Sequence, residues 1–196
     1  RVMDIPAHAY RALLVSAPGK LSASLSALLS DGAFSKIATE VSATGARQQM
    51  TADAYDIVVI NTPLPDEFGT RLALDLVSDS TVGVLLLVKE EHYSDINARV
   101  APYGVLVLPK PTSASAVSQA LNLLTATRER LRRFEQKTAT IEEKMQEIRL
   151  VNQAKWLLIE NLKMTEAEAH RYIEKTAMDR CVTRREIAQS IMKTYR

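Results

Sequence analysis

The chain has 196 residues, of which 46% are hydrophobic and 24% are charged. This composition is ordinary for a soluble protein, and the length suits one full domain and a small one. The longest wholly apolar run, Val84 to Val88, is far shorter than the ~20 residues that span a bilayer, so we expect no membrane span. The single cysteine, Cys181, excludes a disulfide within the chain and suits a reducing cytoplasm.

The net charge of +2 is unevenly distributed along the chain. Residues 1–120 contain 9 lysines and arginines and 12 aspartates and glutamates, whereas residues 121–196 contain 16 and 11. A basic second half is expected of a nucleic-acid-binding module joined to a sensing module, although solvated helix surfaces produce the same balance.

The first half alternates short apolar runs with segments that suit helices or loops. The runs are rich in valine, isoleucine and leucine, as expected of strands buried on both faces. The candidate strands are Ala12–Ser16, Ile37–Val41, Ile57–Asn61, Val84–Val88 and Val105–Leu108. The candidate helices are Leu21–Leu29, Gly45–Ala54, Thr70–Val77 and Ser94–Val100. This order predicts an α/β fold with a flavodoxin-like, doubly wound, five-stranded parallel sheet, whose functional residues lie at the carboxyl ends of the strands.

Two segments of this half carry a family resemblance. Tyr55 to Gly69 reads YDIVVINTPLPDEFG, and Leu108 to Pro111 reads LPKP. Both are similar to the receiver domain of response regulators, in which the third strand ends in the aspartate that accepts phosphate. The resemblance implies that Asn61 occupies this position. An amide is a poor nucleophile towards phosphorus and does not neutralise a divalent ion.

The resemblance implies that the rest of the phosphorylation site is also altered. Ser16 and Ala17 stand where receivers have an acidic pair, and Val88 stands at the hydroxyl position. Lys110 keeps the usual identity, but it can hold the Asn61 carbonyl or a backbone oxygen in a purely structural role. We therefore expect a receiver fold without phosphorylation chemistry, metal, cofactor or enzymatic activity.

Residues from Ala114 to about Asn161 include neither glycine nor proline, which predicts one long helix. Apolar residues and threonines recur in it at alternating steps of three and four, as in a coiled coil. This seam comprises Leu124, Thr127, Leu131, Phe134, Thr138, Ile141, Met145 and Ile148. We predict a homodimer whose interface contains Leu124, Leu131, Phe134, Ile141, Met145 and Ile148, although the stripe could instead pack against the first domain of its own chain.

Two helix starts follow the long helix. Thr165 with Glu168, and Thr183 with Glu186, each fit the capping box. They predict three helices: one ending near Leu162, one from Thr165 to about Arg180, and one from Thr183 onwards. The predicted inward faces comprise Ala169, Tyr172, Ile173, Thr176 and Ala177 in the second helix and Ile187, Ala188, Ile191 and Tyr195 in the third.

A second family resemblance spans these helices. Its residues are Ala154, Lys155, Leu157, Leu158, Thr165, Glu166, Glu168, Ala169, Ala177, Met178, Arg180, Glu186, Ile187 and Ala188. They resemble the ANTAR domain, the AmiR and NasR transcription antitermination regulator module. Trp156 and Ile159 depart from the pattern, which usually has a small residue and a methionine there. The resemblance implies binding to stem-loops in a nascent leader transcript, which prevents a terminator from forming.

Six basic residues of this region are candidates for RNA binding. They are Lys155, Arg171, Lys175, Arg180, Arg184 and Arg185. Lys155 and Arg180 match the family pattern, and Arg171 and Lys175 are four apart and therefore share a helical face. The alternative role for several of them is to form ion pairs with glutamates or aspartates on the same surface.

The remaining conspicuous residues have structural interpretations. Trp156, at the junction of the long helix with the last helices, is interpreted as a packing residue rather than a platform for a base. Asp66 and Glu67 are interpreted as solvated loop residues, and Cys181 as an unreactive thiol.

These patterns divide the chain into a degenerate receiver (1–112), a linker helix or coiled coil (113–150) and an ANTAR-like RNA-binding domain (151–196). The predicted function is a cytoplasmic, non-enzymatic regulator of transcription antitermination, with a sensor protein docking on the receiver. The alternative is a dimeric signalling scaffold that binds a protein partner and no RNA.

Overall fold

The computed structural model describes residues 8–32 and 34–195. The chain forms two compact units that divide between Arg132 and Arg133. The strands of the described residues are β1 (Tyr10–Ser16), β2 (Phe34–Glu40), β3 (Ile57–Asn61), β4 (Gly83–Lys89) and β5 (Leu106–Lys110). The helices are α1 (Lys20–Ser30), α2 (Ala43–Ala52), α3 (Thr70–Asp79), α4 (Glu90–Val100), α5 (Ala114–Leu162), α6 (Glu166–Arg180) and α7 (Arg184–Thr194).

The five strands form one parallel sheet in the order β2-β1-β3-β4-β5. This arrangement confirms the predicted doubly wound fold. Several strands extend beyond the predicted apolar runs to polar residues, because backbone pairing continues past the buried segment: β1 starts at Tyr10 and β4 ends at Lys89. The register pairs Ser16 with Asn61, which brings the ends of β1 and β3 together.

Alternate residues of the central strands face two different hydrophobic layers. Val15, Ile60 and Leu86 belong to the layer covered by α2, α3 and α4. Leu14 and Val59, which precede the first two of these, belong to the layer covered by α1 and the first turns of α5. Because successive side chains of a strand point to opposite faces, both faces of the sheet are buried, which explains the nearly unbroken apolar runs.

The long helix α5 is continuous over 49 residues, so no break separates a linker from the elements around it. Val117, Leu121 and Leu124 pack into the hydrophobic layer beside α1. Leu124 is only 7% exposed, and we therefore remove it from the predicted dimer interface. Gly83 lies beside this packing: a Cβ atom there would lie 3.4 Å from the Leu124 side chain, which is an ordinary contact, but 2.9 Å from Ile57 Cδ1, which is too close.

The carboxy-terminal unit contains its own core, formed by the last turns of α5 together with α6 and α7. Its buried residues are Ala154, Leu158, Ala169, Ile173, Ala177, Ile187, Ala188 and Ile191. The alanines are small, which permits close contact between helices. The inward assignment of Tyr172 was wrong, because this side chain is 43% exposed. None of the described helices has the length and apolar character needed to cross a bilayer.

Both predicted capping boxes are present. The backbone N–H of Thr183 donates to Glu186 Oε2 at 2.8 Å, and the N–H of Glu186 donates to Thr183 Oγ1 at 3.2 Å. Thr165 and Glu168 form the same pair of bonds at the start of α6. The backbone bond from each threonine holds the pKa of its glutamate below the ordinary value.

The cap of α7 gives a test of this local structure. Thr183→Ala removes the acceptor for the Glu186 N–H and should destabilise the carboxy-terminal unit by ~1 kcal/mol. The measurement is urea unfolding followed by far-ultraviolet circular dichroism. Thr194→Ala is the control, because that hydroxyl only bonds Ser190 O within the same helix, and its effect should stay within ~0.5 kcal/mol. Equal effects of the two substitutions would contradict the assignment.

Candidate functional site

The carboxyl edge of the sheet holds a chain of hydrogen bonds between residues at the ends of three strands. Lys110 Nζ donates to Asn61 Oδ1 at 2.8 Å, and Asn61 Nδ2 donates to Ser16 Oγ at 2.9 Å. The Ser16 hydroxyl donates in turn to Ala17 O at 2.9 Å, and Lys110 also donates to Thr62 O. The predicted bond between Lys110 and the Asn61 carbonyl is therefore present.

This edge carries the amide of Asn61 and the hydroxyl of Ser16 at positions where the resemblance to receiver domains implies carboxylates. Burial lowers the pKa of Lys110, and the neighbouring positive charge of Lys89 lowers it further. Val88 is fully buried and supplies no polar atom. Within the described ranges, no group of three or more histidine, cysteine, aspartate or glutamate residues is placed to hold a metal ion. The side chains of Ser16, Asn61 and Lys110 all take part in this chain of hydrogen bonds.

Asp66 and Glu67 lie in the loop after β3, where Asp66 is exposed to solvent, and both carboxylates also cap helices. The Asp66 carboxylate accepts the backbone N–H groups of Ala43 and Thr44 at the start of α2, each at 2.9 Å. These bonds stabilise the charged form and lower the pKa of Asp66 to about 2. Glu67 accepts the N–H of Leu72 in the first turn of α3, at 2.9 Å. The two carboxylates therefore fix two helices beside the edge of the sheet.

The apolar stripe of α5 is exposed to solvent. It comprises Leu131, Phe134, Ile141, Met145 and Ile148, which are between 41% and 59% exposed. The next two positions of the same heptad pattern are Asn152 and Lys155, so the stripe ends at Ile148.

Two of the six predicted RNA-binding residues are engaged in ion pairs within the carboxy-terminal unit. Lys155 Nζ lies 3.2 Å from Glu166 Oε1, and its side chain is only 15% exposed. Arg184 lies 3.1 Å from Glu147 and 3.9 Å from Glu174. Both residues therefore help to connect helices, which was the alternative role considered for them.

The other four predicted residues, Arg171, Lys175, Arg180 and Arg185, are exposed. No ion pair involves them among the residues that the structure describes. Arg171 acts on Glu168 electrostatically and contributes to its lowered pKa. These four cations lie on α6, at its end, and in the first turn of α7. We call them the exposed basic residues.

Trp156 is 69% exposed, which corrects its interpretation as a packing residue. Ala154 and Leu158, two positions before and after it, are buried in the core. Two residues correspond to about 200° around an α-helix, so Trp156 lies on the side of α5 opposite this core. The helical spacing of the buried residues was a signal for this orientation.

The comparisons with known proteins agree with both parts of the fold. Residues 139–192 match the family profile of the ANTAR domain. The transcriptional regulatory protein PdtaR of Mycobacterium tuberculosis is 28% identical over 140 residues, which cover 71% of this chain and 68% of PdtaR.

Solved structures resemble the amino-terminal part. The receiver domain of an HD domain-containing protein from Pseudomonas fluorescens has a TM-score of 0.57 at 21% identity, covering 63% of this chain and 92% of that domain. The receiver domain of the regulator TorR has a TM-score of 0.53 at 24% identity, covering 60% of this chain and 98% of that domain. Residues 139–192 are therefore similar to the ANTAR domain, and the amino-terminal part has the fold of a receiver domain. The receiver likeness concerns the fold, and the ANTAR match covers the basic helices.

The caps of the receiver domain give a pH-dependent prediction. The ordinary pKa of Asp66 is 3.8, and folding lowers it to about 2. The stabilisation by Asp66 is therefore fully present above pH ~4 and is lost as the pH falls through ~2. Asp66→Asn should therefore make the unfolding free energy depend less strongly on pH over this range. The measurement is urea unfolding at several pH values. An NMR titration midpoint near 4 for the Asp66 carboxyl would contradict the assignment.

Proposed function

We propose that this protein is a cytoplasmic regulator of transcription antitermination whose ANTAR domain binds stem-loops in nascent leader RNA. The observation that carries the proposal is the position of the exposed basic residues in the domain that matches the ANTAR family. Exposed cations can replace the counterions of RNA phosphates, and the release of these counterions contributes much of the affinity. The name of PdtaR, a transcriptional regulatory protein, agrees with a role in gene expression.

Three of the exposed basic residues contact phosphates of the RNA in this proposal. Arg171 and Lys175 are one helical turn apart and contact adjacent phosphates. Arg185 lies in the first turn of α7, where the helix amino end also favours an anion. Phosphate contacts position the RNA but do not select a sequence. Selection comes from unpaired loop bases, because paired A-form RNA hides the base edges of its major groove.

Dimerisation through the apolar stripe of α5 places two ANTAR domains in one assembly. The stripe keeps a heptad pattern, and an isolated helix leaves it in contact with water. A parallel pair of such helices buries it. The alternative function, a dimeric scaffold that binds no RNA, would use the same stripe, but it gives no role to the exposed basic residues.

The receiver domain acts in this proposal without phosphorylation. Asn61 has no carboxylate to attack phosphorus, and its amide is held by Ser16 and Lys110. Control then requires another input, and we propose that a sensor protein docks on the receiver domain.

Alanine substitutions that each remove one positive charge test RNA binding. Arg171→Ala and Lys175→Ala should each weaken binding to an RNA hairpin and reduce the salt dependence of log K by about one unit for each lost contact. Lys20→Ala and Lys89→Ala in the receiver domain are the matched controls and should have no effect. The measurement is fluorescence anisotropy of a labelled hairpin at several salt concentrations. Weakened binding in the controls, with normal binding in the ANTAR variants, would contradict the proposal.

Treatment with a small phosphodonor tests the receiver. Acetyl phosphate with magnesium should leave the mass of the protein unchanged, because the nucleophile and the acidic pair are replaced. An active receiver domain treated in parallel should gain one phosphoryl group. A mass gain that maps to the receiver domain would overturn this part of the proposal.

One substitution in the apolar stripe tests the dimer. Ile141→Asp places a charge in the apolar interface and should convert the dimer to monomers, as measured by light scattering. Thr140→Asp is the control, because this exposed residue lies off the stripe on the same helix. A monomeric unmodified protein, or equal effects of the two substitutions, would argue against the coiled coil.

A further inference from the structure

Trp156, the only tryptophan of the chain, lies on an outward surface of the ANTAR domain. Its position opposite Ala154 and Leu158 means that no rotation of its own side chain returns it to the core of that domain. Tryptophan has a large apolar ring system and usually lies largely buried in folded proteins. The exposed ring therefore presents a flat surface to solvent or to a partner.

The predicted dimer interface does not account for this surface. The heptad positions after Ile148 are Asn152 and Lys155, and Lys155 is already held by Glu166 at 3.2 Å. Trp156 follows Lys155 and lies beside the seam rather than in it. The stripe ends at Ile148, about two helical turns before Trp156, so the predicted contacts with a second copy of α5 do not include the indole ring.

The exposed neighbours of Trp156 on α5 suit a nucleic acid. Gln153 lies three residues before it and Arg149 seven residues before it, so both share its face of the helix. An aromatic ring with an adjacent amide and a cation offers stacking, base-edge hydrogen bonds and a phosphate contact, respectively. These are the elements with which proteins bind unpaired bases.

We propose that Trp156 is a stacking platform for an unpaired base of the RNA loop, with Gln153 beside the edge of this base and Arg149 beside the backbone. This inference rests on the proposed RNA-binding function and adds a residue that the six basic candidates do not include. A paired stem cannot supply the base, because both faces of its bases are covered by neighbouring base pairs.

The charges on either side of Trp156 along α5 set the direction in which the RNA backbone runs. Glu160, four residues after Trp156, is exposed and shares the same face. Its carboxylate repels phosphate, whereas Arg149 on the other side attracts it. The RNA backbone therefore leaves the stacked base towards Arg149.

The tryptophan itself supplies the readout, since it is the only source of indole fluorescence in the chain. The probe is a pool of labelled RNA hairpins with a constant stem and randomised loops, titrated into the full chain. Binding is followed by anisotropy of the label and, in parallel, by emission of Trp156. Stacking should quench the emission in step with binding. A continuous duplex of the stem sequence without a loop should leave the emission unchanged.

Substitutions distinguish stacking from a general apolar contact. Trp156→Ala should weaken hairpin binding roughly 5- to 140-fold, the range expected for one base stacked on an aromatic ring. Trp156→Phe keeps an aromatic face and should lose less. Glu160→Gln should strengthen binding, and Arg149→Ala should weaken it. Tyr103→Ala, which removes an exposed aromatic ring from the receiver domain, is the control and should have no effect.

The outcomes separate this inference from the proposed function. Hairpin binding with unchanged emission, and with equal affinity for Trp156→Ala, overturns the stacking role and leaves the RNA-binding proposal intact. Absence of hairpin binding overturns both. An emission change that depends on protein concentration without RNA shows that a second copy covers Trp156, and this also overturns the stacking role. The alanine variant should fold normally, because the position is exposed and alanine favours helix.

Discussion

The central constraint in this protein is that one uninterrupted helix contributes to two hydrophobic cores. The first turns of α5 bury Leu121 and Leu124 in the receiver domain, and its last turns bury Ala154 and Leu158 in the ANTAR domain. The segment between them belongs to neither core and exposes the apolar stripe.

The hydrogen bonds at the carboxyl edge of the receiver sheet depend on the neutral side chain of Asn61. Asn61 uses its carbonyl and its amide nitrogen at the same time, towards Lys110 and Ser16 respectively. A carboxylate in its place could not donate to the serine. The hydrogen bonds at this edge therefore fit a neutral residue at position 61.

Periodicity and capping predicted most of the fold, because both are local properties of the sequence. The strands, the long helix and the two capping boxes all lie close to their predicted positions. Tertiary packing decided the rest. Leu124 fits both a coiled-coil seam and a domain core, and the pattern alone cannot distinguish them until Gly83 is known to lie beside it. Asp66 was missed as a cap because it is distant in sequence from the amino end of α2 that it holds.

The candidate RNA-binding surface was less predictable from the sequence, because it depends on which lysines and arginines already form ion pairs with carboxylates. Lys155 matches the family pattern but pairs with Glu166, whereas Arg171 and Lys175 remain exposed.

RNA binding by this surface is tested most directly by selecting RNAs from a random pool with the full chain. We expect enrichment of hairpins with common unpaired loop bases. A pool that remains featureless after selection would contradict this expectation and favour a protein-binding scaffold.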